Sequence, residues 1–396
     1  MGFMTAKRVY LDYNATSPIR QQAVEAMLRA MSLPGNASSV HREGREARSV
    51  IEGAREQVAA LAGARARNLY FTSGGTEANN AVLSPKLRCS GMSEEASLLI
   101  VSATEHLSVL EGHRFPADKV ALLPVHADGI IDLAALEKML GATQGRAVVS
   151  IHAANNETGI VQPIREAAEI VHRHGGLIHT DAVQAAGRIP LDIAELGVDV
   201  MTLSAHKIGG PKGAGAIVFS SGAIELGGAL VRGGGQEQGN RSGTENIIAI
   251  AGFGAAAEET IRDFAQERKR LEALRLQIEA IVLKFAPDAV LIGQGVERLV
   301  NTVTVAFPGH RAETVLIAFD LAGIALSSGS ACSSGKVKRS HVLDAMNMDK
   351  SLAAGAIRLS LGWNSTEEDI VFFALTCETV FNSLYKRHDS TPLRVG

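Results

Sequence analysis

Residues 175–187 read "GGLIHTDAVQAAG": a glycine pair, an apolar run, then an acid at Asp181 and an amide at Gln184. Residues 198–215, "VDVMTLSAHKIGGPKGAG", repeat the form, an apolar run ending in Ser204, His206 and Lys207 before a glycine-rich turn. Short runs with little polar interruption fit strands buried on both faces, the mark of a parallel sheet. Runs of the same kind occur as "NLYFTS", "SLLIVSA", "AVVSIHA" and "GAIVFS" between about residues 64 and 220. Helical patterns separate them. In "PIREAAEIVHRHG", Ile164, Ala167, Ala168 and Val171 recur at helical spacing, with Pro163 at the start and Gly175 at the end. The alternation predicts an α/β domain with a mainly parallel sheet, which binds ligands at the carboxyl ends of its strands.

The chain has 396 residues, enough for a second domain. A long helical stretch is expected from about Glu245 to Phe285, its charged end carrying Leu271, Leu274, Ile278 and Ile281 at steps of three and four. Beyond it, "NTVTVAF", "ETVLIAFDLAG", "GAIRLSLG" and the helical "TEEDIVFFALTCETVFNSLYK" suit a smaller α+β domain. The expected division is a large domain at 15–260 and a small one formed by 1–14 and 261–396.

Composition excludes several classes. Lys and Arg number 39 against 42 Asp and Glu, so neither nucleic acid nor an anionic membrane surface is expected as a partner. The longest uncharged apolar run within the chain, "NIIAIAGFGAAA", is far short of a membrane span. The opening "MGFMTAKRVYLDYNATSP" lacks the apolar run of a signal peptide. Three cysteines, at 89, 332 and 377, make neither a C-x-x-C pair nor a disulfide framework, which favours free thiols in a reducing compartment. A cytoplasmic protein without a metal site is expected.

"FTSGGTEANN" places Gly74, Gly75 and Thr76 between a strand and a helix. Backbone N–H groups at such a start, with a hydroxyl beside them, attract a phosphate; the plain reading is a turn. Asp181 leaves a buried strand and requires a partner, unless it or Thr180 simply caps the next turn. Lys207 alone would be a solvated charge. In order along the chain, the three supply what a pyridoxal phosphate enzyme needs: an anion site, a carboxylate for the pyridine nitrogen and an amine to hold the cofactor.

At this point the chain resembles the class V, fold type I pyridoxal phosphate enzymes, and more closely the NifS/IscS-type cysteine desulfurases. The resemblance rests on "YLDYNATSP", "GNASSVHREGREA", "TSGGTEANN", "TEHLSVL", "NNETGIVQPI", "HTDAVQAAG", "LSAHKIGGPKGAGA", "GGGQEQGNRSGTEN", "SSGSAC" and "AIRLSLG", all in the family's order. It implies that Lys207 holds the cofactor, Asp181 pairs with the pyridinium nitrogen and Gln184 bonds the ring hydroxyl. His106 resembles the histidine that stacks on the ring and moves protons. Thr76, Ser204 and His206, with Gly75, would bind the phosphate. Thr244 resembles the threonine that reaches the phosphate of a neighbouring subunit, which implies a homodimer. Asn156 resembles the asparagine near ring and substrate, with Asn155 a competing register, and Arg358 the arginine that clamps the substrate carboxylate.

The loop "SSGSACSSGK" at 327–336 surrounds Cys332 with small residues. By composition it is a flexible segment that contains a thiol. By resemblance Cys332 is the nucleophile that takes sulfur from L-cysteine as a persulfide, leaves L-alanine and passes the sulfur on. Small neighbours permit the travel such a role demands. Cys377 falls inside the last helical pattern and is expected to pack; Cys89 has no chemical context. The rival readings are a selenocysteine lyase or another class V enzyme, and a non-catalytic sulfur relay, against which Lys207, Asp181 and His106 stand. The end "FNSLYKRHDSTPLRVG" does not match the tail by which housekeeping IscS-type members engage an iron–sulfur scaffold. The acceptor is therefore open among a cluster scaffold, a nitrogenase-type assembly protein and a thiolation enzyme.

Overall fold

The computed structural model describes residues 7–92, 94–329 and 339–389, the side chains as far as 384. Cys332 lies outside the described residues. The chain divides into two compact units: Thr16–Asn155 with Ile160–Phe264, and Met1–Ala15 with Asn156–Gly159 and Ala265–Gly396.

The first unit is built on a seven-stranded sheet. Its strands are β1 (Leu69–Thr72), β2 (Leu98–Ser102), β3 (Val120–Leu123), β4 (Ala147–Ser150), β5 (Leu177–Asp181), β6 (Val200–Ser204) and β7 (Gly215–Phe219). They lie in the order β1-β7-β6-β5-β4-β2-β3. The pairs from β3 to β6 are parallel; β7 runs antiparallel to β6 and to β1. The mainly parallel sheet is as expected, and every residue of β4, β5, β6 and β7 is buried. Edge strand β3 was not legible. Its Leu122 is exposed, Val120 and Ala121 are half-buried and Leu123 is buried, so it lacks the continuous burial of β4 to β7.

Helix α1 (Gly75–Val82) follows β1, and its Ala78, Ala81 and Val82 pack with Val101, Val148 and Val200 of the sheet. Helix α2 (Ile164–Arg173) begins after Pro163 and buries Ile164, Ala167, Ala168 and Val171, the predicted stripe. Gly175 then takes φ +69°, the left-handed turn that ends it. Helix α3 (Ile247–Phe285) gives its first part to this unit and the remainder to the other.

The second unit holds an antiparallel sheet β8-β9-β10 (Val290–Leu291, Thr302–Ala306, Ala356–Ser360) with helices α4 (Ala312–Leu321) and α5 (Glu367–Asp389). Its core gathers Leu274, Ile278, Phe307, Phe319, Phe373 and Phe381. Phe319 and Phe373 stack at 5.9 Å between centroids. Cys377 is fully buried among them and its thiol is pushed well above the ordinary range by burial, as befits a packing residue. Among the described residues no helix is long and apolar enough to cross a membrane.

Candidate active site

Parallel packing puts the carboxyl ends of β5 and β6 side by side, Asp181 opposite Thr202. Asp181 is buried. Its Oδ1 accepts from the Val183 backbone N–H at 2.9 Å and its Oδ2 from Asn79 Nδ2 at 2.7 Å. The acid closes the local turn and also has a side-chain partner on α1.

Strand β6 ends at buried Ser204, and one 3₁₀ turn (Ala205–Lys207) carries His206 and Lys207, both half-buried. The turn is tied at its amino side: Ser17 N–H donates to the His206 carbonyl at 2.9 Å, and His206 Nδ1 lies 3.2 Å from Thr16 Oγ1. The start of α1 sits against this strand end. A methyl on Gly75 would come within 2.9 Å of Val183 Cγ2 and 3.5 Å of Ser204 Cβ, and one on Gly215 within 2.5 Å of the Gly74 backbone. At 215 the backbone in the way leaves room for glycine alone, whereas at 75 the Val183 methyl would have to give way. The first N–H groups of α1, at Gly75 and exposed Thr76, have no acceptor within the helix. The start of α1, the Asp181 carboxylate and the turn that carries Lys207 therefore lie at the carboxyl ends of adjacent strands.

His106 caps the short helix Leu107–Leu110: its Nδ1 accepts from the Ser108 N–H at 3.1 Å and lies 2.8 Å from Ser108 Oγ. With Nδ1 an acceptor, the ring proton of the neutral form sits on Nε2. Gln184 is buried, and its side-chain oxygen accepts from Arg188 Nη1. Thr244 is exposed and lines, with Thr72, Ser73, Gly213 and Arg241, a cavity of about 150 Å³.

Scanned against family models, residues 9–373 match that of the aminotransferases of class V. The chain is 40% identical to the cysteine desulfurase IscS of Dictyoglomus turgidum, over 96% of this chain and 95% of that one. It superposes on the NifS-like protein of Rickettsia africae with a TM-score of 0.85 and 35% identity, covering 95% of this chain and 99% of the other. SspA in complex with cysteine gives 0.74 and 30%, covering 89% and 98%.

The chain belongs to the class-V aminotransferase family. Within it the chain is a NifS/IscS-type cysteine desulfurase with the fold type I architecture.

In the second unit of this desulfurase, Arg358 stands on β10, buried at 4% exposure. Its Nη1 donates to the Asn156 carbonyl at 2.9 Å and its Nη2 to Asp12 Oδ1 at 2.7 Å, while its Nε is buried without a hydrogen-bond partner among the described residues. A buried guanidinium with an unused donor can take a further anionic partner. Arg358 also bridges Ser327, whose N–H donates to its carbonyl at 3.2 Å, just before the Cys332 segment. Asp12 was missed by sequence reading, because an acid in "YLDYN" shows no periodicity. Of the two asparagines, Asn155 spends its amide on the Thr104 carbonyl at 2.9 Å; half-buried Asn156 offers its carbonyl to Arg358.

Two histidines of the first unit carry a pH signature. Burial pushes His179 down to about 4, Asp181 only partly opposing it; burial and then the charges of Lys207, Lys212 and Arg188 push His206 down to about 4. Between about pH 6.5 and 4 the unfolded chain therefore binds protons that the folded chain does not. Stability should be unaffected by these rings above pH 7 and fall below 6.5, by about 1.4 kcal/mol per pH unit for each histidine. Urea midpoints of the cofactor-free protein between pH 7 and 5 measure this, and His179→Gln should flatten the slope. A slope that His179→Gln leaves untouched would remove His179 from the account.

Proposed function

We propose that this desulfurase converts L-cysteine to L-alanine, with the sulfur taken up on Cys332, and that pyridoxal phosphate is held by Lys207, Asp181 and the start of α1. The observation that carries the reading is the juxtaposition of Lys207, buried Asp181 and the Gly75 cradle at adjacent strand ends. The donor set suits the group: hydroxyls of Thr76 and Ser204, the His206 ring and the first N–H groups of a helix for a phosphate, and a carboxylate for a protonated ring nitrogen. Gln184 would bond the ring hydroxyl, and Asn156 would lie near ring and substrate. Pyridoxal phosphate, when bound, supplies an electron sink that weakens bonds at the substrate α- and β-carbons.

The chain's own residues do the rest. Arg358 holds the substrate carboxylate, with its unpartnered Nε as the donor still to be used. Lys207 Nζ takes and returns the α-proton, assisted by His106 Nε2. The Cys332 thiolate attacks the substrate sulfur: a sulfur–sulfur bond forms, the carbon–sulfur bond breaks, and its electron pair returns to the β-carbon, which is protonated to give alanine. The persulfide then passes to an acceptor protein. Thr244 would complete the phosphate site of a second copy, making the enzyme a homodimer that shares its sites.

Stoichiometric alanine and sulfide from cysteine, with a thiol reductant, test the reaction; selenocysteine offered in parallel tests the rival lyase, and a panel of persulfide acceptors tests the partner. Arg358→Gln should raise KM for cysteine by about 100-fold, the value of a charge-assisted pair. Turnover of cysteamine, which lacks the carboxylate, should be unchanged by it. Equal losses on both substrates would show that Arg358 does not bind the carboxylate.

A further inference from the structure

Behind the strand ends of the first unit lies a chain of polar groups that no step above uses. Asn79, Thr202, His179, Ser150 and Glu105 come from α1, β6, β5, β4 and the turn after β2, and none is more than 1% exposed. Asn79 is its hub. Its Nδ2 donates to Asp181 Oδ2 at 2.7 Å and to Ser108 Oγ at 2.9 Å, and its Oδ1 accepts from Thr202 Oγ1 at 2.6 Å. His179 Nε2 lies 3.1 Å from Thr202 Oγ1, and Ser150 Oγ, with one proton to give, lies 2.9 Å from His179 Nδ1 and 3.1 Å from Glu105 Oε1.

Donor counting fixes the hub. The Thr202 hydroxyl has one proton, and the shorter contact, to Asn79 Oδ1, takes it. Thr202 Oγ1 is then an acceptor for His179, whose ring is held neutral by burial and carries its single proton on Nε2. With its oxygen engaged by Thr202, the Asn79 amide must turn its NH₂ toward Asp181 and Ser108. The flipped amide would set an oxygen against a carboxylate at 2.7 Å and forfeit a charge-assisted bond in a buried site. Through Ser108, which contacts His106 Nδ1, the same amide reaches the second residue assigned to the ring.

We propose that Asn79 is a positioning residue, orienting Asp181 and His106 together for the cofactor ring, and that Thr202, with the His179 ring behind it, locks its amide in the donating orientation. This rests on the reading that Asp181 meets the pyridine nitrogen. Removing the amide leaves the Asp181 carboxylate with the Val183 N–H as its only remaining hydrogen-bond partner among the described residues. Its carboxylate can then turn, and the ring nitrogen loses the partner that keeps it protonated.

The test uses holoenzyme loaded with pyridoxal phosphate labelled with ¹⁵N in the ring. Asn79→Ala should move the ring-nitrogen chemical shift toward the unprotonated value and lower kcat about 10- to 100-fold, with KM within about threefold. Thr202→Val, which keeps the shape and deletes the proton, should move the shift the same way by less, and it decides the matter if Asn79→Ala does not fold. Asp181→Asn serves as the reference. If Asp181→Asn moves the shift and neither other variant does, the positioning role is wrong while the reading of Asp181 stands. If Asp181→Asn itself leaves the shift unchanged, the reading of Asp181 fails and this inference with it.

Discussion

Replacing Cys332 by serine should abolish sulfide release from cysteine, by roughly 10³-fold or more, while leaving the absorbance of the bound cofactor as in the wild type. A hydroxyl cannot accept a sulfur to form a persulfide, whereas nothing assigned to cofactor binding is changed. An unperturbed thiol of pKa about 8.5 is only a few per cent thiolate at pH 7, so Cys332 has to lose its proton as it engages the substrate. The other two thiols cannot stand in. Cys377 is fully buried and held protonated by desolvation, and the Cys89 thiol is raised by desolvation and by the charge of Asp199. Cys89→Ser should therefore turn over at the wild-type rate. The decisive comparison is alanine and sulfide production by the two serine variants; substantial turnover by Cys332→Ser, or loss in Cys89→Ser, would overturn the assignment of the nucleophile.

Much of the sheet was legible because β4, β5, β6 and β7 are buried on both faces and so read as continuous apolar runs. Strand direction is not written in such a run, and the antiparallel placement of β7 between β1 and β6 had to be seen. The candidate site was legible where chemistry-bearing residues leave a strand end in plain view, as with Asp181, Ser204, His206 and Lys207. It was illegible where the residue works from inside an element. Asn79 on α1 reads as an ordinary helix residue, and His179 and Thr202 as impurities in apolar strands. A signal was there: a histidine inside "LIHTD" must be buried, and a buried polar ring must have partners. Asking where those partners were would have led from β5 to β4 and β6, and from Thr202 to Asn79. Asp12 had no such signal, since its bond to Arg358 joins positions 346 residues apart.

Lys207→Ala carries the other large expectation. The variant should lose the visible signature of covalently held cofactor and fall in activity by about 10²- to 10⁴-fold, the range for removing a positioned proton-transfer group. It should still take up pyridoxal phosphate reversibly, because the Gly75 cradle, Ser204 and Asp181 are untouched. A small primary amine added to the assay should restore part of the rate by supplying the missing nitrogen. A second consequence needs no cofactor at all. The Lys207 charge is one of the causes that lower His206, after burial, so deleting it should raise the His206 value from about 4 toward 6.5. Ring-proton NMR of the cofactor-free variant measures that rise directly. An unchanged visible spectrum in loaded Lys207→Ala would show that the cofactor is attached elsewhere. An unchanged His206 titration would show that the Lys207 ammonium does not face that ring, and the shared strand end that links phosphate site to lysine would have to be redrawn.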